Sequence, residues 1–260
     1  MRDPGLSAAV RAAGGVGELA RKLGISQPSV SNWDKVPPER IVAVEAVTGV
    51  DRGVLRPDLY RPNAANAGDE VDEVDAARAQ EYALLAALLA RTPSADLLER
   101  LADLRVDATP LGLAHVQLAE AARDASVEQV EREYFNLFIG LGRGELLPYG
   151  CYYLTGFLHD RPLARLRTDL AEIGIARAEG NIEPEDHIAI LCEVMARLAG
   201  GSFTAPAGSD QRIFEKHLAP WAGRFFSDLE HAEAADFYRR VGTVGRQFME
   251  IEMEAYALPV

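Results

Sequence analysis

Cysteine is nearly absent. Two occur in 260 residues, Cys151 and Cys192, and neither belongs to a CxxC pair or a histidine-rich cluster. That argues against a disulfide framework and points to a reduced, cytoplasmic setting. Histidine is scarce too, at five, which leaves little to build a metal site. No run of about 18 uncharged apolar residues occurs, so no membrane-spanning helix is expected. The opening MRDPGLSAAV has no apolar signal-peptide core. No stretch alternates apolar and polar residues for more than a few positions, which removes the usual strand signature. A nucleophile elbow and a strand-borne phosphate loop are missing as well. The glycines of GLGRGELLPYG (140–150) follow a helical pattern, a poor setting for a dinucleotide loop.

What is present suits a globular chain: 48% hydrophobic residues and room for two domains. The net charge of −13 is uneven. Residues 1–62 hold nine Lys/Arg against seven Asp/Glu, and the remainder holds 18 against 33. A slightly basic head therefore precedes an acidic body, which would favour cationic partners or simply aid solubility. Between them NAANAGDEVDEVD (63–75) is small, polar and acidic, and reads as a linker. From residue 76 to 260 the apolar spacing is helical. AARAQEYALLAALLAR (76–91) is rich in Ala and Leu, VEQVEREYFNLFIGL (127–141) and HIAILCEVMARLAGG (187–201) each carry one apolar stripe, RPLARLRTDLAEIGI (161–175) fits a short helix between a proline and a glycine, and Gln211–Tyr256 reads as one or two long amphipathic helices. The expected fold class is all-α.

In the head, GVGELARKLGISQPSVSNW (15–33) has the order of a helix-turn-helix. Gly24 supplies the tight turn, Ile25 an apolar plug, and Ser26 a helix cap before Gln27-Pro28. Val30 and Trp33 are expected inward. Gln27, Ser29, Ser31 and Asn32 are expected outward, able to meet base edges, with Arg21 and Lys22 on phosphates. With the following VPPERIVAVEAVTGVDRGVLRPDLY, residues 6–61 resemble the Cro-like or YdaS-like helix-turn-helix domains. A head that only packs or dimerises stays open as the alternative.

In the body, EPEDH (183–187) gathers three carboxylates and a histidine. A metal reading fails on spacing: the positions three and four after His187 are Ile190 and Leu191. Acid–base catalysis lacks any companion motif. An ordinary helix start, Pro184 with Glu185 and Asp186 in the first turn, accounts for the acids but not for His187.

Three stretches carry a resemblance to the TorD/DmsD family of redox-enzyme maturation chaperones: EYFNLFIGLGRGELLPYGCYYL (133–154), EPEDHIAILCEVMARL (183–198) and FEKHLAPWAGRFFSDL (214–229). The middle one is similar to that family's Glu-Pro-x-Asp-His segment. One departure is Tyr149-Gly150-Cys151 after Pro148, where a Glu-Ser pair is frequent. The resemblance implies a non-enzymatic, cofactor-free, cytoplasmic chaperone of two helical lobes joined near Glu183-Pro184. Its partner would be the precursor of a molybdenum or tungsten oxidoreductase, held by its twin-arginine leader or its body. Glu183, Glu185, Asp186 and His187, with Pro148 and Tyr149, would lie at the peptide site, the carboxylates meeting guanidinium groups. Phe138, Leu141, Leu147, Tyr149, Tyr152 and Tyr153 are groove candidates, although core packing is the favoured reading for Tyr134, Leu137 and Phe138. The competing expectation is a DNA-binding regulator whose body is a peptide or ligand sensor. A homodimer fits the head's usual use of two-fold DNA.

Overall fold

The computed structural model describes residues 3–50, 52–56, 73–104, 109–177 and 183–258. It separates into two compact units, residues 1–70 and 71–260. Among the described residues every regular element is helical, apart from one isolated bridge between Tyr149 and His187, so the fold is all-α. Of the expected linker, residues 63–72 lie outside the described residues, and Glu73 already opens the first helix of the body.

The first unit holds α1 (Pro4–Ala13), α2 (Val16–Leu23), α3 (Gln27–Ser31), α4 (Ile41–Thr48) and α5 (Arg52–Leu55). Gly24 has φ +65°, the left-handed conformation glycine adopts cheaply. That turn lets Ile25 N–H reach the Ala20 carbonyl at 3.0 Å. Ser26 Oγ accepts from Ser29 N–H at 3.3 Å and starts α3. Leu6, Leu19, Val30, Ile41 and Leu55 form the core, with Trp33 packed half-buried against it.

The second unit comprises α6 (Glu73–Ala90), α7 (Ala95–Ala102), α8 (Pro110–Asp124), α9 (Val127–Tyr134), α10 (Gly150–Thr155), α11 (Arg161–Glu172), α12 (Ile188–Ala199), α13 (Ser209–Ile213), α14 (Ala222–His231) and α15 (Phe237–Ala257). Helix α6 lies along α12, and α15 packs on α14 and α8. The expected two lobes share one continuous apolar core, which runs from Tyr82 and Leu85 through Leu191 and Met195 to Phe225 and Tyr238.

Three boundaries differ from the sequence reading. Helix α9 widens into a π turn over Phe135–Ile139 and ends at Gly140, whose φ is +63°. Leu141, expected on the same apolar face, is therefore thrown clear and is 98% exposed. The tail is three helices rather than one or two, because α13 also passes into a π turn (Phe214–Leu218) before Pro220 interrupts the run. Finally, α12 starts at Ile188, four residues later than the proline had suggested.

Two features set the packing of the C-terminal helix. Arg78 on α6 grips buried Glu252 on α15 with two bonds, Nε to Oε1 at 2.7 Å and Nη2 to Oε2 at 2.9 Å, and Tyr82 OH adds a third at 2.8 Å. Gly245 on α15 lies directly under the Phe226 ring of α14: a Cβ there would sit 2.2 Å from ring carbons. Gly245→Ala must displace a fully buried phenyl ring in a packed core. It is expected to cost about 2 kcal/mol, within the range for overpacking, read as a lower denaturation midpoint with unchanged helical content.

Candidate functional site

The extended residues that lead into α10 and α12 pair with each other. Gly150 N–H donates to the Asp186 carbonyl at 2.9 Å, and Ile188 N–H to the Pro148 carbonyl at 2.9 Å. This small antiparallel contact brings the two halves of the predicted site together, Pro148-Tyr149 with Glu183–His187.

The EPEDH residues do four separate jobs. His187 is the cap of α12: its backbone is extended (φ −66°, ψ 134°) and its Nδ1 accepts from Ala189 N–H at 3.1 Å. That explains the polar residue the helix-start reading left over, and it corrects that reading. The acids do not occupy the first turn of α12. Asp186, 4% exposed, turns to the other helix, its Oδ2 accepting from Cys151 N–H at 2.8 Å. Glu185 is buried against α11, where Arg167 Nε and Nη2 both donate to its Oε2 at 2.9 and 2.8 Å. Burial pushes the Glu185 carboxyl up, but Arg167 more than offsets this and holds it below the usual range. Glu183 is exposed and accepts from Tyr149 OH at 2.7 Å.

The aromatic candidates divide. Tyr149 stays half-exposed beside His187, ring centroids 5.1 Å apart at 78°. Tyr152 is half-buried, its hydroxyl accepting from Arg143 Nη2 at 3.0 Å. Phe138 packs edge-on against Tyr134 and Tyr238 and belongs to the core margin. Pro148 is buried with its carbonyl spent on Ile188.

Beside Asp186 opens a cleft of about 680 Å³. Its walls come from Gly150, Leu154 and Thr155 of α10, from Arg165, Leu166 and Asp169 of α11, and from Lys216, His217 and Trp221. Buried Trp221 is anchored by Nε1 donating to the His217 carbonyl at 2.6 Å. Gly150 is required beneath it, since a Cβ would stand 3.0 Å from the indole nitrogen. Leu154 continues outward into exposed Phe157 and Leu158. The spacing reading had not singled out Asp169, Lys216 or Arg165. Asp169 lies in the helix RPLARLRTDL as one more polar position, and only the fold brings it to the FEKHLAPW stretch. Among the described residues, no group of three His, Cys, Asp or Glu side chains is arranged to hold a metal. Nor is any helix long and apolar enough to cross a membrane.

The six head candidates, Arg21, Lys22, Gln27, Ser29, Ser31 and Asn32, are all exposed. Arg21 is engaged with Glu18 at 2.7 Å.

Comparison with known proteins matches residues 105–227 to the model described as nitrate reductase delta subunit, and residues 6–64 to that described as bacterial toxin YdaS. The Chaperone protein TorD of Vibrio atlanticus is 22% identical over 203 residues, covering 69% of this chain and 94% of that protein. The body is thus similar to TorD chaperones. Chaperone protein TorD of Vibrio cholerae O1 El Tor is 24% identical over 137 residues, 49% of this chain and 62% of its own length. The probable Tat proofreading chaperone DmsD of Haemophilus influenzae is 27% identical over 127 residues, 48% of this chain and 61% of that one. A solved structure from Archaeoglobus fulgidus, provisionally described as a redox enzyme maturation protein, has a TM-score of 0.46 at 20% identity, over 66% of this chain and 93% of that one. The curated relatives that the body resembles are named as chaperones.

Burial lowers the His187 pKa below 6.5, against the pull of Glu183 and Asp186. The unfolded chain therefore takes up this proton first, and the stability His187 contributes, complete above 6.5, is lost as pH falls through 6.5 toward the folded value. The same proton also removes the Nδ1 lone pair that caps α12. Replacement by another capping residue, His187→Asn, is expected to flatten the fall of the melting temperature between pH 7 and 5 while leaving the pH 7.5 value within a few degrees. Buried His217, lowered likewise, retains part of the slope.

Proposed function

We propose that this protein is a cytoplasmic maturation chaperone that holds the precursor of a molybdenum- or tungsten-type oxidoreductase, by its leader or its body, during cofactor insertion. The observation that carries this reading is the Asp186 cleft. It is large enough for several side chains of a peptide, walled by charges of both signs, floored by an indole, and edged by partly exposed Leu154. Such a surface receives an amphipathic segment through an apolar trough and charged margins.

Within this reading Asp186 and His187 act as positioning residues. They fix α10 against α12 and so shape the cleft, rather than offering free carboxylates at its mouth. Tyr149 and Glu183, half-exposed and exposed, bond to each other, as do Tyr152 and Arg143; neither pair lines the cleft, nor do Phe138 and Pro148. The exposed polar face of α3, with Lys22 nearby, favours a second capability of the head, contact with duplex DNA as a dimer. That would make the protein a regulator as well.

Co-purification with an oxidoreductase precursor encoded nearby, with and without its leader, tests the chaperone reading. Capture of the precursor is expected, and loss of at least half of it is expected for Asp186→Ala paired with His187→Ala, measured on protein that retains wild-type helicity. Failure to capture any such precursor overturns it. For the head, a shift of its own upstream duplex that Gln27→Ala with Asn32→Ala abolishes is the expected result.

A further inference from the structure

The cleft holds one carboxylate whose cationic partner is loosely held. Glu185 has two short bonds from Arg167, and Asp186 has the Cys151 amide. Asp169 is different. Its Oδ2 lies 2.7 Å from His217 Nε2, but Lys216 Nζ stands 3.4 Å from both carboxylate oxygens. Charge-assisted N–H···O bonds run shorter, near 2.7–2.9 Å, so the ammonium sits near Asp169 without closing on it. The Lys216 side chain is 54% exposed and the Asp169 side chain 13%. One group is free to leave into water; the other is fixed in the wall.

Resting on the reading above, we infer that Asp169 is the seat for a guanidinium of the client segment, and that Lys216 occupies this seat until the client arrives. A guanidinium offers a planar fork that meets two carboxylate oxygens, which a single ammonium does not. A carboxylate has about four acceptor sites, so the His217 bond leaves room for it. Displacing Lys216 costs little, because an exposed, loosely paired ammonium regains hydration. His217 steadies the seat: burial disfavours its cation, so the neutral ring donates Nε2–H to Asp169. Burial pushes the Asp169 carboxyl up, but His217 and Lys216 hold it below the usual range, so it stays charged at neutral pH.

Asp169 lies on the wall formed by α11 and Lys216–His217, and Leu154 of α10, partly exposed, lines the same cleft. The matching occupant is a polypeptide segment that carries an arginine. Arg165 and Lys216 at the same margin repel a run of further cations and so limit how many the cleft accepts.

The test uses the full chain and a labelled client leader segment in two forms, with its arginines and with glutamine in their place. Asp169→Asn is expected to weaken binding of the arginine form roughly tenfold, the loss of a charge-assisted contact. In the Asp169→Asn background the arginine-to-glutamine penalty should vanish. Lys216→Ala, which removes the occupant of the seat, should tighten binding severalfold, an outcome that loss of structure cannot mimic. The inference is overturned if the wild type binds the leader and Asp169→Asn does not weaken it. It is equally overturned if Lys216→Ala weakens binding, which would mark the cleft as an anion site. Absence of binding to both the leader and the whole precursor by the wild type refutes the chaperone reading itself; capture of the precursor without the leader refutes only the seat.

Discussion

The carboxylate of Asp186 joins two helix starts. Its side chain satisfies the Cys151 amide, its carbonyl the Gly150 amide, and the next two residues cap and begin α12. Amides at a helix start have no partner within the helix. Burying two such ends side by side is tolerable only if each donor finds an acceptor. The chain meets that requirement with one acidic residue followed by one histidine, and the cleft wall descends from it. Gly150 can then sit under Trp221, α11 is drawn in by Arg167 on Glu185, and Asp169 comes to face the segment carrying Lys216 and His217.

Much of this was open to reading from the chain alone, for identifiable reasons. The head followed from Gly24, Ser26 and Pro28, since each answers a local backbone demand that leaves a local trace. The all-helical body followed from apolar spacing, and the importance of Glu183–His187 from its density of polar groups before an apolar run. What stayed hidden depended on distant partners. Glu185 looked available because Arg167 is eighteen positions earlier on another helix. The start of α12 was placed too early because Pro184 is a familiar helix opener, whereas here it introduces a turn in which His187 N–H reaches the Pro184 carbonyl at 3.1 Å. Asp169 gave no signal, being one polar position among several in a surface-facing helix pattern.

The π turns at Phe135–Ile139 and Phe214–Leu218 show the same limit. Each adds a residue to a turn and rotates the side chains that follow, so a stripe counted at 3.6 residues loses its register beyond it. Leu141 lies past Gly140, which ends the first of them, and so falls outside the core. The second π turn carries Lys216 and His217, placing both on the cleft margin.

The clasp between Arg78 and Glu252 closes the body from its first described helix to its last. A tether pulling on the start of α6 therefore loads two parallel bonds in shear, together with the Tyr82 contact, instead of peeling a helix turn by turn.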